Sequence, residues 1–314
     1  MRLQLSLPVQ MPLQEAPSSF RRQVFPSLYR SLACTAKRLI HRIAYRLTDL
    51  DLLWGLISKT FVRGSQYLCS VRNEVDADRI VDRHPALREA LADRQVLAGP
   101  FEGLDYRGTK AFCSSFYPKL LGTYEHELEE SIRKALDKPF GLIVDVGAAD
   151  GYYAVGFAFK KPHSRVIAFE QDPRAWAELA NLALINGVSD RFTIKGRCDV
   201  ADLLALPYDG GLMIMDCEGF EEHLLSPEVI SHLRHWDFFV ETHDGFIADM
   251  TKRLSARFAD THSVHTVGAI HDYNKADTLN HPLLVGLPRR QQDILLAEGR
   301  QHACLRWMVC RSIA

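Results

Sequence analysis

The sequence predicts an α/β fold: a doubly wound, mostly parallel sheet preceded by an N-terminal helical extension. Three observations predict it. Short apolar runs recur from Leu142 onward, helical segments separate most of them, and a loop of small residues, Asp145–Gly151, joins the first run to the first helix that follows. Parallel strands need crossover connections, so alternation of strand and helix at this pace encodes a sheet covered on both faces.

Residues 1–25 are rich in Pro, Gln and Ser and read as a leader. Over 28–63 the pattern is helical. Leu39, Ile43 and Leu47 recur every fourth position, and Arg38, Arg42 and Arg46 run beside them. The first set makes an apolar stripe and the second a basic one. Like charges at that spacing repel slightly. A solvated face on a packing helix accounts for them; so does an anionic partner such as phospholipid, a polyanionic glycan or another subunit. Residues 73–97 read as two short helices broken near Pro85. Gly99-Pro100 then marks a boundary, giving an extension over 1–98 and a sheet domain over 99–314.

Phe101–Phe112 has the Gly and aromatic content of short strands or a hairpin, and Glu125–Leu136 reads as a helix. Leu142–Val146, a short apolar run, suits a buried parallel strand. Tyr152–Lys160 and Arg174–Ile185 read as helices, with Pro173 suited to a first turn. Further strands are expected at Val166–Phe169, Phe192–Lys195, Leu212–Met215 and Phe238–Val240. A sixth is expected between His265 and His271, and a last at Leu305–Val309, with Glu298-Gly299-Arg300 and Trp307 in a closing hairpin.

Composition narrows the class. With 314 residues, 47% hydrophobic and 25% charged, the chain has the balance of a globular protein. A net charge of −1 supplies no global attraction to nucleic acid. The seven cysteines are scattered and form no Cys-x-x-Cys pair, which argues against a disulfide framework or a zinc ribbon. They read as reduced thiols. No apolar stretch is long enough to span a bilayer, and Pro8 and Pro12 break the start of the chain, so a cytoplasmic protein is expected.

The loop Asp145-Val-Gly-Ala-Ala-Asp-Gly151 runs from a buried strand into a helix. Glycines there let backbone approach a ligand closely, and the helix start points N–H groups at it. Three residues separate Gly147 from Gly151, and Ala149 stands where a middle glycine is expected, so the dinucleotide fingerprint is absent. A nucleoside cofactor without a pyrophosphate is favoured over NAD. Gly147, Ala148 and Gly151 would form its cradle. Asp145 would hold a loop N–H or an ammonium. Glu170, followed by Gln171, would accept ribose hydroxyls, and Asp199 would face the adenine edge.

Asp145-Val-Gly-Ala-x-x-Gly, then Glu170, then Asp216-Cys-Glu-Gly-Phe-Glu221, then Glu241-Thr-His243 together resemble the FkbM-like methyltransferases. The resemblance spans roughly Leu121 to Thr242, is faint towards the C-terminus and is absent before about Pro100. It implies a seven-stranded, Rossmann-like class I methyltransferase fold and S-adenosylmethionine as cofactor. It also implies methylation of hydroxyls on glycans or secondary metabolites; the basic stripe over 28–63 would suit a lipid-linked saccharide among them. Cys217 departs from the aliphatic residue more usual there. Tyr124 and Glu125, in the lead-in to the first helix, would cover the methionine end.

Methyl transfer needs alignment and a dry pocket, and a hydroxyl acceptor also needs a proton acceptor. Asp216, Glu218, Glu241 and His243 are the catalytic candidates, because ligands bind at the carboxyl ends of strands in open α/β sheets. His243 is the natural base near neutral pH, with Asp216 as base or orienter. These carboxylates with His243 and Asp244 could instead hold Mg2+, although the metal-free arrangement is preferred. Glu221 reads as an ordinary acid at a helix start. His271-Asp272 could face the acceptor side of the cleft; His126 and His265 carry no chemical assignment. Two other readings stay open: a non-catalytic cofactor-binding scaffold, and a Rossmann-type NAD(P) oxidoreductase. Nucleic-acid methylation is disfavoured, since no RNA-binding module is present and Asp216-Cys-Glu-Gly219 replaces the Asn-Pro-Pro-Tyr type of motif.

Overall fold

Seven strands form one sheet: β1 (Leu142–Val146), β2 (Arg165–Phe169), β3 (Phe192–Lys195), β4 (Leu212–Met215), β5 (Asp237–His243), β6 (His262–Gly268) and β7 (Leu305–Ser312). Their order is β3-β2-β1-β4-β5-β7-β6. The first five pair in parallel, and β7 enters antiparallel between β5 and β6. This is the seven-stranded class I, Rossmann-like topology. The computed structural model describes residues 71–245, 247–299 and 305–314. The leader, the basic helix expected at 28–63 and Arg300 lie outside the described residues.

The period of two along each strand divides the core into two apolar layers. Ile143, Ile214, Phe239, Trp307 and Val309 face one layer, packed with the helix Tyr152–Lys160. Val144, Val146, Met213, Met215, Val240 and Met308 face the other, packed with the helix Met250–Phe258. β1, β4 and β5 are buried along their whole length, as strands covered on both faces must be. Pro173 opens the helix Pro173–Ile185 as expected, with the Asp172 side chain capping the Arg174 N–H.

Helical residues 71–83 and Pro85–Ala90 meet near Pro85 as expected. Ala77, Ile80, Leu87, Leu91 and Val96 join the first apolar layer, so this part of the expected extension shares the core of the sheet domain. Among the described residues no helix is long and apolar enough to cross a membrane.

Four local expectations are corrected. Phe101–Phe112 forms turns rather than strands, with a single isolated bridge between Gln95 and Asp105. The helix expected from Glu125 starts later, as a 3-10 turn His126–Leu128 followed by Glu129–Leu136. Glu125 itself is left-handed at φ 48°, its N–H donated 3.1 Å to the Glu298 carboxylate. β6 contains His265 instead of following it. The closing hairpin is replaced by a long excursion between β6 and β7 that carries the helices Asp272–Thr278 and Arg289–Leu296. This excursion is tied back to earlier residues: Asn73 donates to the Ile294 carbonyl, and His281 Nε2 lies 3.1 Å from the Leu121 carbonyl.

Candidate active site

The loop after β1 bends sharply at the carboxyl end of that interior strand. Gly147 sits at φ 91°, and its N–H and that of Ala148 both donate to the Phe169 carbonyl, at 2.9 and 3.0 Å. Gly151 sits at φ 97°, where a Cβ would lie 2.5 Å from Leu179 Cδ1. Both positions therefore demand glycine, for backbone conformation and for space. Glu170, just past β2, accepts the Ala149 N–H at 2.9 Å and the Asp172 N–H at 2.7 Å. Its carboxylate braces the loop against the end of β2.

The loop borders a cavity of about 480 Å³ at the carboxyl ends of β1, β2 and β4. That volume is within the range of small-molecule sites. Of the predicted residues, Tyr124, Asp145, Gly147, Ala148, Glu170, Gln171, Asp216 and Glu218 line it. Gly151 lies behind the wall against Leu179, and Glu125, Glu241 and His243 are buried outside the lining. Asp199 is elsewhere. Its side chain caps the helix Val200–Leu204 in a reciprocal capping box with Asp202, and Arg197 and Cys198 occupy the cavity wall in its place. The signal at Asp199 was thus a helix start.

Sequence reading missed a buried ion pair in this wall. Lys119 Nζ lies 2.6 and 2.8 Å from the two Asp150 oxygens and 2.6 Å from Ser114 Oγ. Tyr106 OH also donates to Asp150, at 3.2 Å. The rings of Tyr124 and Tyr152 flank the ammonium at 5.1 and 5.4 Å, a cation–π arrangement. No local pattern reveals Lys119, because the fold brings it to the loop from a separate helix. Asp145 is fully buried. Burial, reinforced by Glu170 and Asp150 and only partly offset by the Ala154 N–H, pushes its pKa up to about 7.

Beside the cavity, β4 and β5 bring acids around one imidazole. His243 Nε2 lies 3.5 Å from Asp216, 3.6 Å from Glu241 and 3.8 Å from Glu218. Its Nδ1 lies 3.2 Å from Glu221 Oε1. Glu221 is therefore no ordinary helix-start acid: it is fully buried, and the same oxygen accepts the Cys217 N–H at 2.8 Å. The Asp-x-Glu-Gly-x-Glu stretch contained this residue, but spacing along the chain gave no hint of its burial.

Burial opposes charge on His243, yet Glu221, then Glu241 and Glu218, outweigh it and raise its pKa. Asp216 is pushed up to about 8 by burial and by Glu125 and Glu218. His243 thus keeps its proton beyond its usual range, as Asp216 does; of the two, Asp216 lines the cavity and His243 does not. Asp216, Glu241 and His243 each offer one possible ligand atom, all within 4.8 Å of one another. Asp244 is directed instead to the Thr251 N–H and hydroxyl. His271 caps the helix Asp272–Thr278 through the Tyr273 N–H, and Asp272 accepts the N–H groups of Glu298 and Gly299, so neither is directed to an acceptor.

No protein-family model matches the chain, and no curated protein matches its sequence. The FkbM-like resemblance rests on its motif residues alone. Solved structures similar to the chain include a precorrin-6y C5,15-methyltransferase from Geobacter metallireducens, at 12% identity, 58% of this chain, 87% of that one and TM-score 0.36. They also include an O-methyltransferase from Bacillus cereus in complex with SAH, at 11% identity, 57% and 77% coverage and TM-score 0.39. A third is the O-methyltransferase TomG from Streptomyces achromogenes in complex with SAM, at 12% identity, 62% and 82% coverage and TM-score 0.39. These likenesses are distant; the strand order and the residues of the cavity carry the functional argument.

Proposed function

We propose that the chain is an S-adenosylmethionine-dependent O-methyltransferase of FkbM-like type, acting on a hydroxyl of a glycan, lipid-linked saccharide or secondary metabolite. The observation that carries this reading is one cavity bordered both by the glycine loop braced by Glu170 and by the Asp216 carboxylate. S-adenosylmethionine, when bound, supplies an electrophilic methyl group. Gly147 and Ala148 leave room for it, and Glu170 and Gln171 offer acceptors for its ribose. Asp145 offers a carboxylate to its ammonium. Asp216 takes the proton of the acceptor hydroxyl, and Tyr124 and Tyr152 help exclude water.

A second reading is favoured by the grouping of Asp216, Glu241 and His243, which could hold a divalent cation such as Mg2+ beside the acceptor. An ion there would acidify the hydroxyl directly. We further propose that the protein is cytoplasmic and that residues 1–98 form an extension to the catalytic domain. Its basic face over 28–63 would meet an anionic partner or membrane surface.

The test is calorimetric titration with S-adenosylmethionine and S-adenosylhomocysteine, beside Glu170→Ala. Losing the brace and a ribose acceptor should weaken binding by roughly 10- to 100-fold, the range for hydrogen bonds to a charged group. Folded wild type that binds neither compound would sink the proposal. Binding would justify an acceptor screen with and without magnesium.

A further inference from the structure

The acids around His243 are arranged unequally, and the inequality assigns a role to a residue outside the cavity wall. Glu221 opens the helix Glu221–Leu224, where an acid is normally solvated. Here it has no exposed surface, and the His243 side chain is only 2% exposed. Removing a carboxylate from water is costly unless it is paired and hydrogen-bonded. Glu221 Oε1 meets both conditions at once: it accepts the Cys217 N–H at 2.8 Å and lies 3.2 Å from His243 Nδ1.

We propose that Glu221 is a positioning residue that fixes the His243 ring, keeping the proton on Nδ1 and holding Nε2 against Asp216 and Glu241. The inference deepens the methyltransferase reading and rests on it for its functional meaning. An ionised carboxylate only accepts hydrogen bonds, so the ring nitrogen facing it must carry hydrogen. The other ring nitrogen then has a fixed direction, and it lies 3.5 Å from Asp216 and 3.6 Å from Glu241. A flipped ring would take Nδ1 away from Glu221 and leave that buried carboxylate facing carbon.

The Cys217 contact gives Glu221 a second purpose. Cys217 directly follows Asp216, so one carboxylate grips both the backbone beside Asp216 on the β4 side and the imidazole at the end of β5. The two groups nearest the proposed chemistry come from neighbouring strands, and Glu221 sets their spacing. A carboxylate that orients a histidine through the ring nitrogen away from the reacting side is a recurrent device in proton relays and metal sites alike.

The experiment uses the full chain with ¹⁵N-labelled histidine rings, and the His243 signals are assigned with His243→Asn. Ring-nitrogen shifts are compared in wild type, Glu221→Gln, Glu221→Ala and Glu221→Asp, alongside circular dichroism. Nδ1 should read as protonated in wild type and in Glu221→Gln, whose amide oxygen can still accept. At a pH high enough to leave the ring neutral, Glu221→Ala should give shifts averaged between tautomers. If the alanine variant fails to fold, Glu221→Asp answers the same question, because it keeps the charge but retracts it by one methylene. An unchanged His243 spectrum in a folded Ala or Asp variant would overturn the proposal and leave Glu221 as a partner for the Cys217 N–H alone. The ring spectrum needs no cofactor, so failure of S-adenosylmethionine binding by wild type would count against the function and not against this geometry.

Discussion

Gly147 lies against the main-chain carbonyl of Asp216 so closely that a Cβ on Gly147 would come within 1.7 Å of that oxygen. The glycine loop after β1 and the start of the acidic cluster are thus in direct backbone contact. Because φ is 91° as well, Gly147→Ala meets both a conformational penalty and an overlap that only backbone movement can relieve. The variant should lose about 2–4 kcal/mol of stability on those principles. Denaturant melts and cofactor titration check this. Wild-type affinity in the alanine variant would show that the loop tolerates a shift of Asp216.

The Lys119–Asp150 pair yields a sharper energetic expectation. Both side chains are almost wholly buried, so removing one partner leaves a charge without compensation. Lys119→Met should cost about 3–5 kcal/mol, the usual penalty for breaking a buried pair. Adding Asp150→Asn should recover part of the loss, since the uncompensated charge disappears. Equal unfolding free energies for the single and double variants would argue against this account.

Asp145 should make stability fall with rising pH. Its pKa is raised to about 7 in the folded protein, above the ordinary carboxylate value near 3.9. A raised pKa means that the folded state binds the proton more tightly than the unfolded state. Its stabilisation is complete below about pH 4 and is lost as pH rises through about 7. Asp145→Asn should flatten this dependence in unfolding curves collected across that window. If the ammonium of the cofactor meets Asp145, binding should release a proton near pH 6–7. Titrations in buffers of different ionisation enthalpy would detect that release.

His262 should act in the opposite sense. Burial lowers its pKa, outweighing the contact of its Nε2 with the Trp236 carbonyl at 2.9 Å. A depressed pKa gives stability that is present above about pH 6.5 and is lost as pH falls through the folded value. His262→Gln should remove this acid sensitivity while lowering stability at pH 8. An unchanged acid limb in the variant would place that sensitivity elsewhere.

The sequence made the sheet legible because burial on both faces leaves a plain mark: Leu142–Val146 and Leu212–Met215 are apolar runs, and both are strands within the predicted limits. The turn from Gly147 to Gly151 was equally legible, since a tight strand-to-helix turn restricts residue size. What sequence could not reveal depends on three-dimensional neighbours. Asp199 looked like a ligand residue and is a helix cap; Glu221 looked like a helix-start acid and is buried against His243. Each has the same local signature in either role, and only burial distinguishes them. Lys119 carried no signal, because its partner Asp150 is distant in sequence.

The position of β7 has a consequence for how the chain is made. β5 and β6 do not touch as neighbours; each pairs with β7 along most of its length. The native partner of that β5 edge is therefore made only when residues 305–312 have been synthesised. Glu241 and His243 lie on that waiting strand, directly opposite Trp307 and Leu305. A chain cut before residue 305 would therefore leave β5 with an unpaired, adhesive edge beside the candidate centre.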